Sequence, residues 1–317
     1  MSQAINVTSK SALPYKQGRL RVFLSEVVKK KTSYFFMAPF MLIFFIFTVI
    51  PVLTSMALSF TYYNIFESPR WIGLANYSLL FVDDDIFLKA IGNTLKFAVV
   101  VGPVGYAMSF LLAWLISQIP FKYRFFYTFC FYTPAITSAI AMSVVWLYLF
   151  SGDRYGLVNY FMLQIGLFQE PLLWLQNVKT MLPIVMFVSL WMSMGISFLA
   201  FLAGLQNVSR DLYEAGSIDG VKYRWQELWY ITIPVVKPQL LFGAIMQIVA
   251  ALSVFDISIQ LTGNPSPQYA AHTVMTHLND YAFTRFEMGY ASSIAVFMFL
   301  VMIALNRLIF KWLGSGD

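Results

Sequence analysis

The sequence predicts an all-α, polytopic integral membrane protein with six transmembrane helices. Three observations carry that prediction. The 317 residues are 59% hydrophobic with a mean hydropathy of +0.68, well above the ~45–50% apolar usage of soluble domains. Apolar runs long enough to cross a ~30 Å hydrocarbon core, which takes ~20 residues, recur at 35–60, 94–118, 126–150, 180–204, 238–261 and 288–312. The connectors between them sort their charges by side.

Residues 1–33 form a basic tail carrying Lys10, Lys16, Arg19, Arg21, Lys29, Lys30 and Lys31. The tail is too long and too charged for a signal-peptide n-region, and the run after it is too long for an h-region. The first span is therefore expected to stay in the mature protein, with residues 34–317 as one six-helix domain. With the N-terminus cytoplasmic, Lys122, Arg124, Arg210, Lys222, Arg224, Lys237, Arg307 and Lys311 join the tail, giving fifteen inner Lys and Arg. Five fall outside: Arg70, Lys89, Arg154, Lys179 and Arg285. That asymmetry places both termini inside. Trp71, Tyr77, Trp174 and Tyr281 near the span ends read as interfacial belt aromatics. Gly102, Pro103 and Gly105 in the second span, Pro134 in the third, and Pro183 and Gly195 in the fourth are expected breaks, which in lipid gather around cavities.

Several chemistries are excluded or disfavoured. Cys130 is the single cysteine and lies in an apolar run, so no disulfide forms within the chain. His272 and His277 are five apart and share no helix face, unlike a zinc pair at i, i+4. No Gly-Lys pair occurs anywhere, so no nucleotide-phosphate loop of the G-x-x-x-x-G-K-[ST] kind exists. The net charge of +6 is explained by the inner face of a membrane rather than by nucleic acid. No Ser/His/Asp set stands at a diagnostic spacing, so the chain is not read as an enzyme.

Polar residues inside spans are costly and need a reason. Ser189, Ser193 and Ser197 recur every fourth residue around Trp191 and Gly195, which reads either as small-residue helix packing or as a cavity face. Gln247, Ser253, Asp256 and Ser258 make a polar sector on the fifth span. Asp256, near its outer end, is open to three readings: cavity lining, interfacial snorkelling or a proton relay.

The most varied chemistry lies in one connector, EAGSIDGVKYRWQELWYITIP at 214–234. Asp211 with Glu214 has the form of a capping box. Leu212, Ala215 and Ile218 make a short apolar stripe, which Asp219-Gly220 ends. A second amphipathic stretch follows, with Trp225, Leu228, Trp229 and Thr232 on one face, up to Pro234. An interfacial helix would explain the tryptophans, but not Glu214, Asp219 and a small Ala215-Gly216 shoulder. A docking element explains all of them.

DLYEAGSIDG followed by WQELWYITIPVVKP resembles the EAA loop of membrane subunits of ATP-binding-cassette importers, whose pattern is E-A-A, three residues, G, nine residues, I-x-L-P. Glu214, Ala215, Gly220, Ile231, Ile233 and Pro234 match. Gly216 stands in place of the second Ala, and ten residues separate Gly220 from Ile231. WIGLANY (71–77), GNTLKF (92–97), FDISIQLTGNP (255–265) and MGYASS (288–293) extend the resemblance, which is to the carbohydrate-uptake, maltose and glycerol-3-phosphate type of permease. It implies the type I importer fold and a bacterial inner-membrane location. The loop at about 206–236 would be the contact with an ATPase, through Glu214, Ala215, Gly216, Asp219 and Gly220. The implied partners are a second related permease chain, an ATPase dimer that carries ATP-Mg, an extracytoplasmic solute-binding protein and membrane lipid, with no nucleic acid and no cofactor in this chain. Sugar contacts would fall at Ser189, Trp191, Ser193, Gln247, Ser253 and Asp256. The rival is a proton-coupled secondary carrier with Asp256 as relay, against which the lack of a visible internal repeat counts.

Overall fold

The computed structural model describes residues 30–314, so the basic tail up to Lys29 lies outside the described residues. The chain divides into two units, 1–54 and 55–317. The first contains helix Lys31–Phe44, a wide turn at Phe45–Val49 and the start of helix Ile50–Leu58, none of which has a buried residue.

In the second unit a short antiparallel pair, Thr61–Tyr62 with Arg70–Trp71, precedes the second span. That span runs as one helix over Asp85–Gln118, starting nine residues before the apolar run at 94–118. Asp84 is the reason: its carboxylate accepts the Phe87 N–H at 2.8 Å and caps the helix. Pro103 lies inside this helix without ending it. The third span divides into Phe121–Ile136 and Ala139–Leu149, bent by 93° just after Pro134. The fourth is Met181–Gln206, the fifth Lys237–Thr262 and the sixth Met288–Trp312. Among the described residues the structure thus holds five candidate spans and a sixth if the bent pair counts as one, in agreement with the six read from sequence.

Lipid is as apolar as leucine, so packing and small residues hold such a bundle. One cluster joins the second, fourth and fifth spans through Phe97, Val101, Val185, Val188 and Ala251. Another joins the 206–236 loop to the same spans through Trp114, Phe198, Leu205, Leu228 and Val236. A third ties the sixth span to the second through Phe87, Ala90, Tyr290 and Ile294. Ser197 Oγ donates to Gly243 O at 3.1 Å across the fourth and fifth spans, the interhelical role open to that serine.

Candidate functional site

The fourth and fifth spans are both interrupted, and the interruptions border one cavity of about 360 Å³. Helix Met181–Trp191 stops and Ile196–Gln206 resumes after it, with Gly195 at the elbow. Helix Lys237–Leu252 stops and Asp256–Thr262 follows. Opened backbone needs new partners away from water, and side chains from neighbouring segments supply them. Ser109 Oγ reaches Ser193 O at 3.4 Å, and Thr273 Oγ1 donates to Val254 O at 2.9 Å.

The cavity wall includes Ser189, Ser193, Ser197 and Gln247 among apolar residues such as Phe97 and Met246. Ser189 Oγ is buried with no partner in the protein, while Ser193 Oγ donates to Leu190 O at 2.7 Å. Gln247 is 5% exposed and packs where a Cβ on Gly105 would strike its Nε2 and stand 3.2 Å from Ser193 Cβ. Glycine at 105 thus lets the second span back directly onto the polar groups. No ionisable side chain lines this cavity among the described residues. A charged solute would lose its hydration there unpaired. A hydroxylated neutral one finds amide and hydroxyl partners between apolar walls.

The 206–236 loop builds two short helices. The first, Arg210–Ile218, is capped by Ser209, whose Oγ accepts from the Asp211 N–H at 3.3 Å. Ser209 takes the capping place expected of Asp211, because the helix begins two residues earlier than the capping-box reading puts it. Val221 N–H closes the end on Gly216 O at 2.9 Å, and Gly220 sits at φ +94°, the left-handed region that favours glycine. The second helix runs Arg224–Val235 and contains a wide turn, Leu228–Thr232, in which Ile233 N–H reaches back five residues to Leu228 O. Such a turn holds one residue more than an α turn. Ile231, inside this turn, places its Cδ1 where a Cβ on Gly216 would be only 2.6 Å away. Tyr213 and Thr232 hydroxyls meet at 3.0 Å, and Trp225 packs 5.1 Å from Trp114 of the second span.

The face turned away from the protein carries Leu212, Glu214, Ala215, Ile218 and Asp219, with Ile218 86% exposed. The expected stripe of Leu212, Ala215 and Ile218 therefore covers nothing in this chain. Of the second stripe, Leu228 and Thr232 are buried whereas Trp225 and Trp229 stay largely exposed.

Residues 105–315 match the sequence model of the family described as "Binding-protein-dependent transport system inner membrane component". The chain belongs to this family. It is a permease subunit, a multi-pass membrane protein rather than an enzyme. It is 32% identical over 281 residues to the probable ABC transporter permease protein YesP of Bacillus subtilis (strain 168), covering 88% of this chain and 89% of that one. It is 30% identical to the arabinooligosaccharides transport system permease protein AraP of the same organism (90% of each chain). It is also 30% identical to the lactose transport system permease protein LacF of Rhizobium radiobacter (88% and 92%). The fold is that of a chain in a bacterial ABC transporter involved in the import of the acidic polysaccharide alginate, with a TM-score of 0.77, 23% identity, and 94% and 99% coverage.

Of the permease residues expected to meet substrate, the structure brings Ser189, Ser193 and Gln247 together and leaves Trp191, Ser253 and Asp256 out of the cavity wall. Trp191 follows Ser189 by two residues, about 200° around a helix of 3.6 residues per turn. It is 53% exposed, its ring edge-on to Trp146 at 6.2 Å. Ser253 and Asp256 flank the break in the fifth span, which shifts both from the phase of Gln247, and Asp256 is exposed.

One buried polar cluster of the permease had no sequence signal. Asp84 Oδ2 takes hydrogen bonds from Tyr290 OH at 2.6 Å and from His277 Nε2 at 3.0 Å. The other His277 nitrogen meets His272 Nε2 at 3.2 Å. The histidines share no helix face, but a turn between them aims both rings at one point. Burial pushes the Asp84 carboxyl up, and the Tyr290, Phe87 and His277 bonds outweigh it, so it ends below its ordinary 3.8. Burial, with His277 alongside, depresses His272 from 6.5 to about 4. Burial also lowers His277, against the pull of Asp84. Asp280 and Arg285 lie near, paired with each other at 2.9 Å. The unfolded connector then binds a proton below pH 6.5 that the folded one refuses, so stability is full above 6.5 and lost as pH falls towards 4. Amide exchange at residues 272–281 is expected to rise over that interval and to do so less in His272→Gln. A flat wild-type profile would sink the assignment.

Proposed function

We propose that this permease forms half of a pathway that imports neutral saccharides, with ATP hydrolysed on a separate subunit that docks on the 206–236 loop. One observation carries the reading. The loop turns Glu214, Ala215, Ile218 and Asp219 outward, while its second helix is packed into the spans that bound the cavity. A rigid element with one face free and the other locked to moving helices is what force transfer requires. This chain has no phosphate loop of its own. Glu214, Ala215, Gly216, Asp219 and Gly220 would meet the ATPase. A second related permease would complete the cavity, and a binding protein would deliver solute on the opposite side. Both termini would be cytoplasmic by the excess of inner Lys and Arg.

The substrate class rests on the uncharged cavity wall and on relatives named for arabinooligosaccharide and lactose transport. Ser189, Ser193 and Gln247 would hydrogen-bond sugar hydroxyls. A proton-coupled carrier needs a carboxylate in the path, and Asp256 is not in the cavity wall. The test is uptake by the complete complex in proteoliposomes. ATP inside should drive accumulation of a neutral oligosaccharide, vanadate should abolish it, and an uncoupler should leave it intact. Collapse with the uncoupler alone would favour the carrier.

A further inference from the structure

The connector between the third and fourth spans, on the opposite side from the 206–236 loop, builds a second cavity. Its organiser is Asn159, 1% exposed on helix Leu157–Gln164. The Asn159 amide nitrogen donates towards Ser151 O, Asp153 O and Leu172 O at 3.0–3.1 Å. Its oxygen accepts from Leu172 N–H at 3.1 Å and from Trp174 Nε1–H at 2.7 Å. A buried polar group so fully satisfied fixes the segments it joins. Here it joins the Ser151 loop to the Trp174 segment, and both line a cavity of about 340 Å³. That volume lies at the lower end of the ~300–1,000 Å³ of small-molecule sites.

The walls combine an aromatic plane with uncharged polar groups: Phe150, Ser151, Trp174, Gln176 and Thr262. Trp174 is held by Asn159 at its nitrogen and by the rings of Phe150 and Phe168, whose centroids lie 6.1 and 5.9 Å away at interplanar angles of 63° and 72°. A belt tryptophan would send its N–H to the lipid headgroups. This one sends it inward, which leaves a fixed ring rather than an interfacial anchor.

The two cavities share a wall. Helix Asp256–Thr262 contributes Ile257 to the central cavity and Leu261 and Thr262 to this one. Four to five residues of helix separate those positions by ~6–8 Å at 1.5 Å per residue. That spacing is on the scale of one sugar unit, so neighbouring units of one saccharide chain match the separation of the two cavities along this helix.

We propose that this cavity is an entry subsite for a further unit of a neutral oligosaccharide, with Trp174 as the stacking platform and Asn159 as the residue that positions it. The proposal rests on the saccharide reading above. A rigid aromatic plane takes the CH face of a sugar ring, and pre-ordering it lowers the cost of binding. Its signature is dependence on chain length. A monosaccharide fills the central cavity alone, whereas a longer chain uses both.

The experiment measures ATP-driven uptake of a neutral series, mono- to pentasaccharide, by the reconstituted complex. Trp174→Leu is expected to raise the half-saturating concentration of the longer members about three- to tenfold, the worth of one aromatic contact, with the monosaccharide unchanged. Trp174→Phe should restore most of the difference, and Asn159→Asp, which keeps the acceptor and loses the donors, should shift the longer members less than Trp174→Leu. Basal ATPase activity of each variant complex reports intact assembly. A shift equal for all lengths, or no shift with Trp174→Leu, overturns the subsite and leaves the saccharide reading standing. Failure of the wild-type complex to move any member sinks both.

Discussion

Glu214→Ala is expected to abolish ATP-driven uptake while the chain still inserts and retains its fold. Glu214 is exposed on the outward face of helix Arg210–Ile218, so its loss disturbs no packing inside this chain. At an interface, truncating one member of a buried charge pair costs ~2–5 kcal/mol, a weakening of about 30-fold or more in affinity for the ATPase. Gly220→Pro should reach the same end by another route. Gly220 stands at φ +94°, whereas proline holds φ near −65°, so the turn between the two short helices cannot close. Copurification with the ATPase and initial uptake rates check both variants. Wild-type uptake in both would remove the loop from coupling.

Gln247→Leu should lower uptake roughly five- to 150-fold, since a buried polar group of the solute left without its partner costs ~1–3 kcal/mol. Leucine is close to glutamine in volume, so the thermal unfolding midpoint should hold. Gly105→Ala separates fit from chemistry. Its Cβ collides with Gln247 Nε2 and crowds Ser193, so it should move the amide out of place and add an overpacking cost of ~1–3 kcal/mol. Uptake and unfolding midpoint then fall together. If Gln247→Leu transports at the wild-type rate, this cavity is not the path.

The two short helices of the 206–236 loop were legible because their signals are local: a capping residue, a glycine at a helix end, and a charged run between apolar ones. The five-residue turn at Leu228–Thr232 was not resolvable from residues alone. Whether such a stretch stays α-helical or widens depends on which side chains must meet. Here Ile231 has to face Gly216, and Thr232 has to meet Tyr213.

The break in the fifth span shows the same limit more sharply. Residues 253–255 contain neither Gly nor Pro, and the helix opens where Thr273, nineteen residues beyond Val254, takes the Val254 carbonyl. Pro103, a sequence breaker, breaks nothing. The placement of Ser253 and Asp256 follows from that opening, which is why a helical phase drawn through the span put them with Gln247. His272, His277 and Asp84 come together for similar reasons, across 193 residues between Asp84 and His277.

The sequence by itself determined the number of spans, the charge asymmetry between connectors and the family. All of these depend on composition and short-range pattern, which hydrophobic transfer and local backbone preference decide. Only the tertiary structure decided where helices open, which polar groups share a cavity, and how Asn159 fixes Trp174. Those features require hydrogen-bond partners from distant segments, and a carbonyl freed inside a bundle can open only where such a partner has already been brought to it.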